Sequence, residues 1–239
     1  MKKTITLFKE IRNTKDGHYF NSKYWQDWKK NLPLLPLELK EIAIGMILSD
    51  ACMYKVSTHA LIKFEQGYKQ EEFLFHLFNI FKLYCFMSEP GKRFTLNGPL
   101  QGTVKSFWFK TFTHESFTDI WDLFYEENKK TIKKGLVKNH LTPRSLAFWI
   151  MGDGSLHTDN KTMILHTQGY NETENNILSE ELNEKYNFKT KVIPHKKKYF
   201  VIKCDSSDAS VLSILIEPYI IPSMRYKLPI AIAVAKNKK

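Results

Sequence analysis

From Leu37 to Ser49 the apolar residues Leu39, Ile42, Ala43, Met46 and Ile47 recur at helical spacing, and the run stops on one acid, Asp50. The arrangement returns downstream, where residues 146–154 read LAFWIMGDG and the apolar run stops on Asp153. Pro33 and Pro36 punctuate the approach to the first run. Thr142-Pro143 precedes the second, placing a capping hydroxyl before a proline suited to the first helical turn. Each run predicts a helix with a carboxylate at its C-terminal end. Gly45 and Ser49 make a shallow stripe on the first helix; Ala147 and Gly152 are the small residues of the second, beside bulky Phe148 and Trp149. Small contact residues are what the closest helix packing needs.

After each acid the pattern shortens to strand character, over roughly 54–65 and 92–112 and again over 161–168 and 190–204. Asn97-Gly98-Pro99 and His195-Lys196-Lys197-Lys198 read as hairpin turns or loops. Helical stretches lie between the strand pairs, with Phe73, Leu74, Leu77, Phe78 and Phe81 in one copy and Ile177, Leu178, Leu182 and Tyr186 in the other. A last pair spans 117–125 and 211–216. Each half is then helix, two strands, helix, two strands, helix: an α+β layout with helices on one sheet face. Gln66-Gly67-Tyr68 is matched by Gln168-Gly169-Tyr170, and Lys130 by Lys227, so that the acids, glutamines and lysines repeat at offsets of 103, 102 and 97 residues. Such repetition predicts two pseudo-symmetric half-domains, 37–138 with a basic linker at its end and 139–239. Residues 1–36 form an extension whose Phe8, Tyr19, Phe20, Tyr24, Trp25 and Trp28 are expected to strap onto the main body. The polar ends Met1–Lys3 and Lys236–Lys239 are expected to fray.

Charge adds a partner. The net charge is +11, carried mostly by residues 129–239, where 19 Lys+Arg face 10 Asp+Glu. With a pI of about 9.4 this favours a polyanion, though basic charge alone supplies solubility and nonspecific affinity, not chemistry. Arg93, Thr95 and Asn97 alternate with Phe94 and Leu96, and Tyr199, Val201 and Lys203 with Phe200, Ile202 and Cys204. A polar, basic face on each sheet could line a duplex groove or be an ordinary solvated face; the pattern leaves both open. Over residues 60–66 the pattern assigns no faces. Candidates for nucleic-acid contact are Arg93, Asn97, Lys105, Lys191, Tyr199 and Lys203. Cys52, Cys85 and Cys204 are widely spaced and form no CxxC pair, so buried free thiols are expected rather than disulfides or a zinc site. No apolar stretch approaches the roughly 18 residues of a membrane span, so a soluble, intracellular chain without a membrane partner is expected.

A carboxylate at a helix C-terminus faces an already negative dipole end. Two of them brought together raise each other's pKa or need a cation. Oxygens from Asp50, Asp153 and nearby carbonyls suit Mg²⁺, with phosphates and water completing the shell, and such ions support phosphodiester hydrolysis. Lys130 and Lys227 are placed to stabilise phosphate charge or order an attacking water. Gln66 and Gln168 either contact DNA and order solvent or simply turn strand into helix.

The segments AIGMILSDA and LAFWIMGDG resemble the paired signatures of LAGLIDADG homing endonucleases, in the monomeric, two-repeat, intron-encoded branch. LTPRSLAFWIMGDG, NKKTIKKGL and PSMRYKLP are also similar to that branch, so the resemblance spans about residues 37–230. It implies two αββαββα half-domains with the motif helices packed at a central interface and antiparallel sheets forming a saddle over double-stranded DNA. It further implies a staggered double-strand cut, leaving 3′ overhangs, in a long site. The implied catalytic residues are Asp50, Asp153, Lys130, Lys227, Gln66 and Gln168, with two or three Mg²⁺ or Mn²⁺ ions on Asp50 and Asp153. A mitochondrial setting follows from the resemblance alone. Intron RNA is the alternative partner, for a maturase on the same fold, and a non-cleaving DNA-binding protein is the third reading. The first motif has Ala51 where the family pattern ends in Gly, and the second has Phe148 where a small residue is usual; both bear on the closeness of helix packing.

Overall fold

The computed structural model describes residues 17–19 and 22–229. Phe8, Phe20 and the polar ends Met1–Lys3 and Lys236–Lys239 lie outside the described residues. The chain divides into two compact units, residues 1–39 with 51–121, and residues 40–50 with 122–239. Most of the first motif helix therefore belongs to the same unit as the second motif.

The first unit opens with α1 (Lys23–Lys30), capped by Ser22. Trp25 is fully buried, its ring 5.3 Å from that of Phe112, and the Trp28 indole donates to the Leu83 carbonyl at 3.4 Å. The strap expected from the aromatic extension is thus present at α1. The next helix, α2 (Leu37–Leu48), is the first motif helix and crosses from one unit into the other. Strands β1 (Cys52–Val56), β2 (His59–Gly67), β3 (Gly91–Phe94) and β4 (Val104–Lys110) form an antiparallel sheet in the order β1-β2-β4-β3. Along β2, Ala60, Ile62, Phe64 and Gln66 are buried while Leu61, Lys63 and Glu65 face the other way, which assigns the faces that pattern left open. Phe64 stacks on Phe109 at 4.6 Å and meets Phe81 of α3 (Glu71–Phe81), whose apolar stripe covers that sheet face. Helix α4 (Glu115–Phe124) closes the first repeat.

One strand differs from its expectation. The alternation over Arg93–Asn97 ends early, because the register shifts between Arg93 and Phe94 and leaves Lys105 as the extra residue of a bulge. Phe94 and Leu96 consequently lie exposed rather than in the core, and Asn97 sits in the connecting loop. Gly98 and Gly102, with φ of 88° and 82°, turn that loop back.

In the second unit a two-stranded hairpin, β5 (Tyr125–Glu126) and β6 (Lys129–Lys130), leads through the short α5 (Leu136–His140) to the second motif helix, α6 (Pro143–Asp153). Thr142 Oγ1 accepts from Ser145 N at 3.2 Å and Pro143 occupies the first turn, as the sequence predicts. Strands β7 (Gly154–Leu156), β8 (Met163–Leu165), β9 (Lys191–His195) and β10 (Tyr199–Cys204) repeat the first sheet's order as β7-β8-β10-β9. Helices α7 (Glu172–Tyr186) and α8 (Ser206–Ile216) complete the second αββαββα series. The expected strand over 161–168 is shorter, since pairing ends at Leu165.

Among the described residues no helix is long and apolar enough to cross a membrane. Cys85 and Cys204 are buried free thiols, and burial pushes the Cys204 thiol up to about 12. Cys52 is only half-buried, contrary to expectation, because it sits on the outward face of β1 opposite Lys63.

Candidate active centre

Within the second unit α2 and α6 meet through small residues. A Cβ added at Gly45 would collide with the Ser145 carbonyl and lie 3.0 Å from Phe148 Cβ. A Cβ at Gly152 would collide with Ser49 Oγ, 2.6 Å from Ser49 Cβ and 3.3 Å from Asp50 Oδ2. The bulk of Phe148 is thus taken up by the bare backbone at Gly45, and Ala51 is buried. Near the opposite end of α6, Arg144 Nη1 pairs with Glu41 of α2 at 2.6 Å. Helices that touch at both ends deliver their C-termini, and hence Asp50 and Asp153, to one place.

Electrostatics record that proximity. Asp153 rises from the ordinary 3.8 to about 7, first through burial and then through the charge of Asp50, with Lys130 and Lys227 opposing. Lys227 falls to about 8, because burial outweighs the attraction of Asp50 and Asp153. Its ammonium donates to the carbonyls of Ile150, Met151 and Gly152 at 3.4, 2.5 and 2.9 Å, capping the negative end of α6. The end of α2 is satisfied differently: Tyr170 Oη donates to the Leu48 carbonyl at 2.9 Å. Lys130 Nζ lies over the Tyr170 ring, 5.3 Å from its centre. Asp50, Asp153, Lys130 and Lys227 therefore form one electrostatic cluster, as the repeat implied. Among the described residues no three His, Cys, Asp or Glu side chains are placed to hold a metal ion by themselves. A pair of hard carboxylates, one of them raised by burial and by the charge of the other, fits an oxygen-seeking divalent ion whose remaining ligands are water or phosphate, and does not fit structural zinc.

Residues 40–212 match the LAGLIDADG DNA endonuclease family. The chain belongs to that family. A probable intron-encoded DNA endonuclease 3 of Mycosarcoma maydis is 54% identical over 134 residues, covering 54% of this chain and 98% of that protein. A probable intron-encoded endonuclease 1 of Wickerhamomyces canadensis is 36% identical over 229 residues, 92% of this chain and 97% of its own. Among solved structures, the homing endonuclease I-WcaI bound to its DNA recognition sequence superposes with a TM-score of 0.80 at 34% identity, over 87% of this chain and 93% of that one.

In this LAGLIDADG chain the two glutamines are not structural counterparts. Cys52, two residues after Asp50, pairs with Lys63; Ser155, two residues after Asp153, pairs with Ile164. Counting on from those pairs matches Glu65 to His166 and, beyond the last paired residue Leu165, Gln66 to Thr167, one residue off the sequence match. Gln66 lies in the first unit on the buried face of β2 at 4% exposure, and Thr167 is likewise buried. Gln168 is half-buried beyond β8, with its Nε2 3.1 Å from His166 Nδ1. His166 Nε2 lies 2.7 Å from Ser155 Oγ. Burial, with the charges of His195 and Lys227, holds the His166 imidazole below its ordinary value. Asp153, Ser155, His166, Tyr226 and Lys227 line one open cleft of about 540 Å³. Ser155 and His166 were not singled out by sequence; the signal available was period-two parity, which puts Ile164, His166 and Gln168 on one side.

The candidate contact residues of this family member occupy outward sheet faces and their loops. In the second sheet Ser155, Ile164, Lys203 and Lys191 stand in one row across the strands, with Tyr199 exposed on the same face. Val201 shares that face yet is buried, so it is less polar than the alternation predicts. Lys203 pairs with Asp205 at 2.9 Å. In the first sheet Arg93 Nε pairs with Glu65 at 3.0 Å, and Glu65 also holds Lys63 and accepts from Ser106 Oγ at 2.7 Å. Together these partners keep the Glu65 carboxyl below the ordinary value despite burial. Lys105 and Asn97 are exposed, at the bulge and in the loop.

Proposed function

We propose that this chain is a monomeric, site-specific endonuclease that makes a staggered double-strand cut in a long DNA duplex. The observation carrying this reading is the convergence of Asp50 and Asp153 at adjoining helix ends, flanked by Lys130 and Lys227. A purely binding protein gains nothing from paired carboxylates beside phosphate, which repel it. Asp50 and Asp153 would hold two or three divalent ions, Mg²⁺ or Mn²⁺, which when bound activate water and offset charge developing on the phosphodiester. The chain's own residues prepare the centre. Gly45 and Gly152 bring the helices together, Lys227 and Tyr170 satisfy their carbonyl ends, and Lys130 adds positive charge beside Asp153.

On this reading the half-domains 37–138 and 139–239 each cover half of the site. Arg93, Lys105 and Asn97 contact one half, and Lys191, Tyr199 and Lys203 the other. The intron-encoded relatives support an organellar, mitochondrial setting. Incubating a supercoiled plasmid, carrying a site selected by the protein from a randomised library, with Mg²⁺ and then with EDTA tests the proposal. Linear product with Mg²⁺ and intact bound plasmid with EDTA is expected; binding without cutting under both conditions would leave a DNA-binding protein.

A further inference from the structure

Beside Asp153 a hydrogen-bond series runs from Gln168 through His166 to Ser155. With the Gln168 amide nitrogen turned toward the ring, that nitrogen donates, His166 Nδ1 accepts and the ring hydrogen sits on Nε2. That hydrogen goes to Ser155 Oγ, which leaves the Ser155 hydroxyl hydrogen to donate elsewhere. Ser155 and His166 both line the cleft that holds Asp153 and Lys227. The His166 backbone is fixed as well, its amide donating to the Asp153 carbonyl at 2.9 Å. A donor held by a histidine that Gln168 holds in turn, in a cleft it shares with a carboxylate, is suited to an anionic oxygen.

The first repeat carries a different set. By strand register Ser155 corresponds to Cys52 and, one residue past the paired strand, His166 to Glu65; counting on, Gln168 falls at Gly67. There the carboxylate of Glu65 is occupied by Lys63, Arg93 and Ser106. A thiol, a carboxylate and a glycine do not reproduce a donor relay. The two repeats are alike in their acids and lysines and unlike in this row.

We infer that Ser155 donates to a non-bridging oxygen of the scissile phosphodiester at the second repeat, and that His166 is the residue that positions it. One of the two strand cuts then depends on a relay that the other lacks. This rests on the endonuclease reading above and adds a strand preference to it.

Strand-resolved single-turnover cleavage tests the relay, using a duplex with each strand end-labelled and carrying the site selected by the wild-type protein. Ser155→Ala and His166→Ala should each slow one strand's cut by about tenfold, the loss expected of one oriented hydrogen bond, with nicked product accumulating. The other strand's rate should stay within about twofold, and DNA affinity likewise. The double variant should be no slower than Ser155→Ala, because His166 acts through Ser155. His166→Gln, whose amide can donate to Ser155, should recover most of the rate. It also keeps the test open if His166→Ala fails to fold. Equal slowing of both strands, additive losses in the double variant, or unchanged strand ratios would overturn the relay. Wild-type protein that cuts no site would remove the endonuclease reading itself, a separate result from unchanged ratios in a cutting enzyme.

Discussion

The Lys227 ammonium donates to the Gly152 carbonyl at 2.9 Å, one residue before Asp153. The lysine thus has two duties. It neutralises a helix end whose last residue is a carboxylate, and it tempers the charge of the acids themselves.

Lys227→Met should therefore cost stability as well as activity. Losing charge-assisted bonds to buried carbonyls is worth about 2 kcal/mol, read as a lowered thermal or denaturant midpoint. Lys130→Met removes an ammonium that lies over the Tyr170 ring, worth under about 1 kcal/mol. Both substitutions should slow cleavage by about 100-fold, the scale of losing one charge-stabilising group. Equal stability losses for the two would contradict the capping role.

The acid pair predicts a pH dependence in metal-free protein. Folded Asp153 keeps its proton to about 7, whereas the unfolded chain releases it near 3.8. Between those values the folded state binds more protons, so stability falls as pH rises from about 4 to about 7. Denaturant midpoints measured in EDTA should show that slope in the wild type and a flatter one in Asp153→Asn. Added Mg²⁺ should reverse the loss near neutral pH.

Helix contact at the glycines gives a third test. Gly45→Ala gains about 1 kcal/mol of helix propensity but drives a methyl into the Ser145 carbonyl, and neither backbone can yield. A net loss of about 1–3 kcal/mol is expected, with cleavage lost in parallel. Stabilisation by Gly45→Ala would mean that the helices are farther apart than described.

On the first sheet, Glu65 restrains Lys63 and Arg93 on a face proposed to meet DNA. Glu65→Ala should tighten nonspecific duplex binding and steepen the log–log salt slope by about 1 to 2 units, as the released cations engage phosphates. An unchanged slope would take this face off the duplex.

Much of this was legible in the chain because the motif is duplicated. Asp50 and Asp153 end matched apolar runs, Lys130 and Lys227 follow at similar distances, and the structure gathers all four. The element order was readable for the same reason. Gln66 and Gln168 match in sequence but take different places, because sheet register, not sequence likeness, decides which face a residue takes. An offset of one residue sends Gln66 into the core of its unit. The bulge at Lys105 was invisible for a related reason: alternation in one strand does not reveal an extra residue in its neighbour. Phe148 read as an obstacle to packing until its partner, Gly45, was known. Ser155 and His166 were passed over because neither belongs to the duplicated set.

The endonuclease reading requires the carboxylates of Asp50 and Asp153 to act together on phosphodiester hydrolysis. Its most direct test is double-strand cleavage by Asp50→Asn and Asp153→Asn in Mg²⁺, with duplex affinity measured alongside. Loss of linear product in both variants, with binding kept within about threefold, is the expected result. Wild-type cleavage by either variant would contradict it.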